Sequence, residues 1–446
     1  MRKFLCLILA LALLAVPVYG TEYEAKSWIL MDAATGTVLE SGNEHEKLAP
    51  ASVTKVMTLL LIMEAIDSGQ LGWDDPVTAS ETAAAKGGSQ VFLKAGETMS
   101  VEDMVKSIAV SSANDCACAM AEHLCGSEAA FVERMNQRAA ELGMADTHFV
   151  NCTGLDDGAD AASHRTSAHD IALMSRELLS KHPDIKKYTT IWMDSIRGGT
   201  FGLSNTNKLV RFYPGCTGLK TGFTSGAGYC LSASAQRDGM ELIAVAMGSE
   251  TSQKRNDACR SMLDYGFANF AHYTPSLPEP VSIPVELGKA ERVTVILPDA
   301  APMLVKKGEL SSITARTELP EGLDAPVEQG QQLGELILER EGERIAALPL
   351  TAGEDVPRLS WADIFAKLLG RVAMGAKGCC ARRGDPCGRP CSPARRPGRA
   401  AARAAPTRTW CGFGGFTIRS PFVFIAFICS SKAAGIIKPY KGTRKP

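Results

Sequence analysis

The stretch Ser52-Val53-Thr54-Lys55 opens an apolar segment with helical spacing, and two further short motifs follow it, Ser112-Ala113-Asn114 and Lys220-Thr221-Gly222. By itself an S-x-x-K pattern carries little weight, because a chain of this length contains about one or two by chance. The three motifs in this order are more specific, since together they supply a hydroxyl nucleophile, a candidate amine base and polar groups that could hold a substrate. They predict a serine acyl-transfer site and a domain that brings the three segments together.

The first motif places a hydroxyl and an amine on the same side of a predicted helix. Pro50-Ala51 lead into this helix, so the hydroxyl and backbone N–H of Ser52 are expected near the positive end of its dipole. Lys55 follows one turn later on the same face and can reach the Ser52 hydroxyl. The amine acts as a base only when neutral, which burial and a second cation such as Lys220 would favour. The alternative is a helix N-cap at Ser52 and a solvated cation at Lys55.

The second motif lies at a break in an otherwise apolar helical stretch. Ser112 and Asn114 are separated by one residue, so both can project from a loop into the same cleft. Ser112 would relay protons between Lys55 and the leaving amine, and Asn114 would hold the substrate amide. Turn or capping roles for these two residues fit the local sequence equally well.

The third motif lies among glycines, which is typical of a strand edge that a substrate backbone can approach closely. Lys220 and Thr221 would bind a carboxylate at this edge, beside Gly222. The backbone N–H of Phe223 would join that of Ser52 as an oxyanion hole. A phosphate-binding loop is the competing interpretation, but the chain contains no G-x-x-x-x-G-K-[ST] pattern.

The patterns around the motifs predict an α+β catalytic domain over residues 24–272. Trp28–Met31 and Gly36–Leu39 form a predicted hairpin, and residues 229–247 form another around an Asp238-Gly239 turn. Helical spacing lies between these hairpins, in the segments 52–66, 104–125, 127–142 and 168–179. Strands at both ends of the domain with helices between them predict one sheet covered by helices.

The composition and hydrophobic pattern of the chain change near residue 275, where several prolines mark a linker. Short strands separated by Gly and Pro turns predict a small antiparallel β domain over 278–352. Residues 357–374 predict an amphipathic helix with Trp and Phe on its apolar side and cations opposite, which favours a membrane interface over packing on the β domain. The Arg-, Pro- and Cys-rich tail 376–446 has the composition of a disordered or out-of-frame segment.

The first twenty residues have the features of a signal peptide: Arg2 and Lys3, an apolar run from Phe4 to Val16, and small residues up to Gly20. This predicts secretion across the cytoplasmic membrane and a peripheral position on its outer face. A transmembrane anchor is the alternative, although the run is short for a bilayer span.

Charge and cysteine usage narrow the possible partners. Of 48 Lys and Arg residues 15 lie in 376–446, as does one of 49 acidic residues, so the preceding 375 residues carry a net charge of −15. Such an acidic body argues against nucleic acid as a partner. Seven cysteines fall in residues 116–259, an odd number without a zinc-ligand spacing, so neither a disulfide framework nor a metal site is indicated. A single disulfide within Cys116–Cys125 remains open.

Further segments resemble one family, the serine-type D-alanyl-D-alanine carboxypeptidases, or low-molecular-mass penicillin-binding proteins. They are Gly154-Leu155-Asp156 and residues 164–170, 205–209 and 217–224, and the resemblance covers roughly residues 24–372. It implies a penicillin-binding transpeptidase/β-lactamase-like catalytic domain followed by a small β domain. It also implies removal of the terminal D-alanine from peptidoglycan pentapeptides, covalent inhibition by β-lactams, and no metal or organic cofactor.

The resemblance also assigns roles to residues. It implies Ser52 as nucleophile and Lys55 as its base, in a cleft lined by Ser112, Asn114, Lys220 and Thr221. The family's arginine for the terminal carboxylate of the substrate matches Arg255, with Arg260 close by. His164 and His169 are expected to be structural because the serine already has a lysine partner, and Asp170 is expected to be an N-cap or a buried partner.

Several other functions share parts of this pattern. A β-lactamase usually carries S-D-N and a deacylating glutamate, whereas Ala113 stands in place of the aspartate here and no convincing E-x-x-L-N stretch is present. A peptidoglycan D,D-endopeptidase is compatible with the same motifs. A β-lactam sensor or wall scaffold without turnover is the alternative from another class, and the full set of catalytic residue types argues against it.

Overall fold

The computed structural model describes residues 23–377 except Asp157 and Ala159. The strands up to Tyr273 are β1 Ser27–Asp32, β2 Val38–Gly42, β3 Pro76–Thr78, β4 Thr98–Ser100, β5 Met193–Ile196, β6 Phe201–Ser204, β7 Cys216–Thr224, β8 Gly228–Arg237, β9 Met240–Ser249 and β10 Phe270–Tyr273. The helices in the same part of the chain are α1 Lys55–Asp67, α2 Glu81–Ala84, α3 Val101–Ser111, α4 Asn114–Cys125, α5 Glu128–Glu141, α6 Ala168–Lys181, α7 Lys186–Thr189, α8 Leu209–Phe212 and α9 Ser252–Asn269.

One antiparallel sheet organises this first domain, with the strand order β2-β1-β9-β8-β7. Both predicted hairpins are present, and the predicted α+β fold is confirmed. Asp238 and Gly239 join β8 to β9 with φ values of 49° and 79°, the positive values that a tight hairpin turn requires. Since β7 is the last strand in the order, its outer edge is free to pair with a substrate.

Helices cover both faces of this sheet, and β9 shows why its sequence is continuously apolar. Its residues Ile243, Val245 and Met247 pack into a core with α1 and the helices from α3 to α6. The alternate residues Leu242, Ala244 and Ala246 pack against α9 on the other face. Helix α1 is buried almost all round, from Lys55 to Met63, so it lies between layers and not on the surface.

The helical segment predicted over 104–125, with a break at the second motif, forms two helices in the structure. Ser112 adopts the left-handed conformation, with φ 63° and ψ 31°, and ends α3, while Asn114 begins α4. Apolar residues continue on both sides of the break, so the hydrophobic period alone does not indicate the left-handed conformation of Ser112. The break turns the Ser112-Ala113-Asn114 backbone away from a regular helix.

The second domain contains β11 Val281–Glu286, β12 Arg292–Ile296, β13 Met303–Lys306, β14 Ile313–Glu318, β15 Leu323–Asp324, β16 Gln332–Arg340 and β17 Glu343–Ala352. All of these except β13 form a sheet in the order β14-β16-β17-β12-β11-β15, antiparallel apart from the β11–β15 pair. Strand β13 pairs instead with β10 of the first domain. Exposed and buried residues alternate along β12, as expected for a strand with one face in the core.

Helix α10 spans Trp361–Lys377. It begins four residues later than the sequence suggested, because Ser360 caps it: Ser360 Oγ accepts from Asp363 N, and Asp363 Oδ2 accepts from Ser360 N. Among the described residues no helix is long and apolar enough to cross a membrane. The predicted signal peptide and nearly all of the tail lie outside the described residues. The described cysteines, 116 to 259, are all free thiols.

Candidate active site

Ser52 lies in a 3-10 turn, Ala51–Thr54, immediately before α1. Nζ of Lys55 lies 3.1 Å from Oγ of Ser52 and donates to the carbonyl oxygen of Thr153 at 2.8 Å. The Lys55 side chain is completely buried, which excludes the solvated cation considered from the sequence. Burial lowers the pKa of Lys55 to about 7, although Asp115 opposes the shift. A large fraction of this amine is therefore neutral near pH 7 and able to accept a proton.

The backbone around Ser52 is fixed by close packing. Ala51 has a φ of 47°, which is uncommon for a residue with a side chain. Its carbonyl oxygen accepts from Thr54 Oγ1 at 2.8 Å, and Oγ1 in turn lies 2.8 Å from Nε2 of His164. Nδ1 of His164 accepts from the Val150 backbone N–H, so Nε2 carries the proton and donates it to Thr54. The expectation of a structural His164 fits this network, which holds the turn that carries Ser52.

Ser112 and Asn114 stand at the start of α4. Nδ2 of Asn114 donates to the Gly87 carbonyl oxygen at 2.7 Å, which ties this residue to the 86–93 loop. Among the described residues, Oγ of Ser112 and Oδ1 of Asn114 are buried without a hydrogen-bond partner. Two unsatisfied buried polar atoms cost free energy unless a ligand or water completes them. Both are therefore available to a substrate.

Lys220 and Thr221 lie on the edge strand β7. Lys220 is buried and its Nζ donates to the Thr221 carbonyl oxygen at 3.0 Å. Its pKa is well below the usual value, first because of burial and then because of the charges of Lys55 and Arg255. Burial, which was expected together with a second cation, is therefore the leading cause of the low pKa of both amines. Two amines buried close together cannot both stay protonated without an anion.

Gly222 lets β7 approach the nucleophile. A Cβ at this position would lie 2.7 Å from the Pro50 carbonyl oxygen and 3.1 Å from the Ser52 nitrogen. The strand edge therefore lies so close to the backbone of Ser52 that only glycine fits at this position. The next residue, Phe223, is exposed and stacks on Tyr229 with ring centroids 4.3 Å apart.

Arg255, and not Arg260, contacts strand β8 beside the site. Its guanidinium lies 5.9 Å from the centre of the Tyr229 ring and 3.5 Å from the Cys230 carbonyl oxygen. It is buried and contributes to the low pKa of Lys220. Arg260 instead forms an exposed ion pair with Asp257.

The sequence alone did not identify two supporting residues. Oγ1 of Thr206 lies 2.6 Å from Oγ1 of Thr221 and fixes that hydroxyl at the strand edge. The buried carboxylate of Asp115 accepts from the backbone N–H groups of Val91 and Leu93 and holds the 86–93 loop. Position next to a motif is the one signal that could have found Asp115.

The fold and the juxtaposition of Ser52, Lys55 and β7 define a class, the serine acyltransferases with a sheet edge beside a lysine-activated serine. A family model described as D-alanyl-D-alanine carboxypeptidase matches residues 15–251, and one described as penicillin-binding protein 5, C-terminal domain, matches residues 278–358. The chain belongs to the D-alanyl-D-alanine carboxypeptidase family and is a serine-type carboxypeptidase.

Individual relatives agree with this assignment. The D-alanyl-D-alanine carboxypeptidase DacF of Bacillus subtilis is 42% identical over 354 residues, which cover 78% of this chain and 90% of that protein. The crystal structure of penicillin-binding protein 5 from Haemophilus influenzae has a TM-score of 0.64 and 31% identity, covering 76% of this chain and all of that one. Penicillin-binding protein D2 of Listeria monocytogenes, in an ampicillin-bound form, has a TM-score of 0.51 and 30% identity, covering 56% of this chain and 99% of that one.

Proposed function

We propose that the chain removes the terminal D-alanine from peptidoglycan pentapeptides through an acyl-enzyme on Ser52. The observation that carries the proposal is the contact between a fully buried lysine amine and the serine hydroxyl, 3.1 Å apart. Burial brings the pKa of Lys55 to about 7, so this amine can act as a general base near neutral pH.

In the acylation step, Nζ of Lys55 takes the proton of the Ser52 hydroxyl as Oγ attacks the carbonyl carbon of the D-Ala–D-Ala bond. The backbone N–H groups of Ser52 and Phe223 stabilise the oxyanion. The carbon–nitrogen bond then breaks, and the leaving amine receives a proton through Ser112. An unpartnered hydroxyl at Ser112, beside the unpartnered amide oxygen of Asn114, supports these two roles.

The terminal carboxylate of the substrate would bind at Lys220, Thr221 and Arg255. A carboxylate here would favour the protonated form of Lys220, whose pKa is depressed in the free enzyme. In the second step water attacks the acyl carbon, the ester bond to Ser52 breaks, and the shortened peptide leaves as a carboxylate. No step needs a metal or an organic cofactor.

β-Lactams would enter the same cleft and acylate Ser52, with their carboxylate at Lys220 and Thr221. The support is the family membership of the chain and the ampicillin-bound form of a related protein. The acyl-enzyme persists when water reaches it slowly.

The enzyme would act outside the cytoplasmic membrane, held on its outer surface by α10. The sequence of residues 1–20 supports export. The exposed side chains of α10, Trp361, Phe365, Leu368 and Leu369, support an interfacial position.

The test is D-alanine release from a peptidoglycan pentapeptide by the wild-type chain, Ser52→Ala, and Ser276→Ala as an exposed control. We expect release by the wild type and the control alone. Cleavage of cross-linked dimers without D-alanine release would indicate an endopeptidase. Fast penicillin hydrolysis without D-alanine release would indicate a β-lactamase. Covalent labelling by penicillin with no turnover of any peptide would indicate a sensor.

A further inference from the structure

A cavity adjoins the turn that carries the nucleophile. It has a volume of about 190 Å³, and its lining includes Pro50, Ala51, Gly154, Asp156, Arg165 and Thr224. At about 30 Å³ for each water molecule, it has room for about six waters, hence for one long side chain. It lies between the turn before Ser52 and the end of β7, so a peptide bound at Ser52 passes its mouth.

The direction of the substrate follows from the proposed function, on which this inference rests. With its carboxylate at Lys220 and Thr221 and its scissile carbonyl at Phe223, the peptide runs antiparallel to β7. Its earlier residues then extend towards Thr224 and Gly226. Because an extended chain advances about 3.3 Å per residue, the third residue of the pentapeptide reaches the end of the strand.

The cavity holds two charges of opposite sign. Asp156 is exposed at the mouth, and a Cβ on Gly226 would lie 3.6 Å from its Oδ2, so the carboxylate faces the β7–β8 turn. Arg165 is half-buried, and its Nη1 donates to the His164 carbonyl oxygen at 3.1 Å. Within the described part of the chain neither Asp156 nor Arg165 forms an ion pair, whereas Lys86, Arg138 and Lys186 elsewhere in the first domain all do.

We propose that this cavity binds the side chain of the third stem-peptide residue, and that Asp156 and Arg165 select a side chain ending in both an ammonium and a carboxylate. Asp156 would accept from the ammonium and Arg165 would donate to the carboxylate. A third residue that carries an amine alone would leave Arg165 without a partner. The remaining wall, made of Pro50, Ala51 and neighbouring alanines, would contact the aliphatic part of the side chain.

The test compares pentapeptides that differ only in the third residue: meso-diaminopimelate, the same residue with its side-chain carboxylate amidated, and L-lysine. We expect kcat/KM for D-alanine release by the wild type to be about tenfold higher for the free acid than for the other two, the loss expected for one charge-assisted contact. Arg165→Gln should bring this preference to within about twofold. Asp156→Asn should lower kcat/KM for all three peptides, since each retains the amine.

Matched controls are Arg260→Gln and Asp257→Asn, an exposed pair on α9, which should keep the wild-type preference. Equal kcat/KM of the wild type for the free acid and its amide would overturn the inference, even if a variant failed to fold. An unchanged preference in folded Arg165→Gln would also overturn it. Failure of the proposed function gives a different result, namely no Ser52-dependent D-alanine release from any of the peptides.

Discussion

The amine of Lys55 lies 3.1 Å from the hydroxyl oxygen of Ser52 and 2.8 Å from the carbonyl oxygen of Thr153, with no part of the lysine side chain exposed. The carbonyl fixes one proton of the amine and leaves the nitrogen directed at the serine. Because burial penalises the charged form, the structure provides a base without a histidine.

The rate of acylation should depend on the protonation of Lys55. The pKa of Lys55 is lowered to about 7, so the neutral base forms as pH rises through 7. We therefore expect the rate of acylation by benzylpenicillin to rise with pH, with a midpoint near 7, in stopped-flow measurements from pH 5.5 to 9. Lys55→Arg, which stays charged, should be slower by about 10³-fold throughout. A flat profile in the wild type would contradict a lysine base.

Binding of a carboxylate should draw a proton into the site. In the free enzyme the pKa of Lys220 is lowered by burial and by the charges of Lys55 and Arg255. A bound carboxylate favours the protonated form of this amine. Calorimetric titration of Ser52→Ala with pentapeptide at pH 8, in buffers of different ionisation enthalpy, should show net proton uptake. In Ser52→Ala/Lys220→Gln the uptake should be lost, and uptake that persists there would assign the proton to another group.

The close approach of β7 makes Gly222 sensitive to a single methyl group. In Gly222→Ala the new Cβ meets the Pro50 carbonyl oxygen at 2.7 Å, so the strand or the turn before Ser52 must shift. We expect kcat/KM to fall by about 10²-fold, as a displacement of about 1 Å at a reacting centre can cause. Gly202→Ala, where no atom lies within 4 Å of the new Cβ, is the matched control. Activity near wild type in Gly222→Ala would mean that the contact relaxes without moving Ser52.

Local spacing explains why part of the site was predictable from sequence. Ser52 and Lys55 are one helical turn apart, so their contact follows from helix geometry once the turn forms. The hairpin at Asp238-Gly239 follows equally directly from its turn residues. Both are decided by neighbours in the chain.

The rest depends on contacts between distant segments. The second motif indicated a break in the helical stretch but not the left-handed conformation of Ser112, and the support that Thr206 gives Thr221 comes from a separate segment. The sequence indicated that burial and a nearby cation would lower the pKa of Lys55, but how deeply the amine is buried depends on the packed core. The hydrophobic period of the sequence does not indicate how deeply Lys55 is buried.

Acid should destabilise the domain through His164. The pKa of this histidine is lowered from 6.5 to about 4, chiefly by burial, so the unfolded chain binds a proton more readily than the folded one between these values. Stability is therefore complete above pH 6.5 and is lost as pH falls towards 4, by about 3 kcal/mol in total from this group. Urea unfolding of the wild type at pH 7 and 4.5 measures the loss.

The variant His164→Asn removes the titrating group. It should be less stable at pH 7 by about 1 to 3 kcal/mol, because Thr54 and the Val150 N–H lose their partner. Its further loss between pH 7 and 4.5 should be smaller than that of the wild type. The exposed His123→Asn should keep the wild-type slope. Equal slopes in all three proteins would show that His164 is not the acid-sensitive group.

The apolar face of α10 should bind membranes by burial of exposed side chains and not by charge alone. Trp361 is 88% exposed and Phe365 64%, although residues of this kind normally avoid water. In the full chain, Trp361→Ser/Phe365→Ser should weaken sedimentation with zwitterionic vesicles by at least about tenfold in partition coefficient, since each aromatic contributes about 1.5 to 3 kcal/mol when buried. Zwitterionic lipid keeps the basic residues beyond the helix from dominating the result.

Lys367→Gln/Arg371→Gln, on the same helix, is the control that should bind as the wild type does. D-alanine release from soluble pentapeptide should be the same for all three proteins, because none of the four substituted residues belongs to the proposed active site. Sedimentation of the aromatic double variant at the wild-type level would remove α10 from the membrane interface.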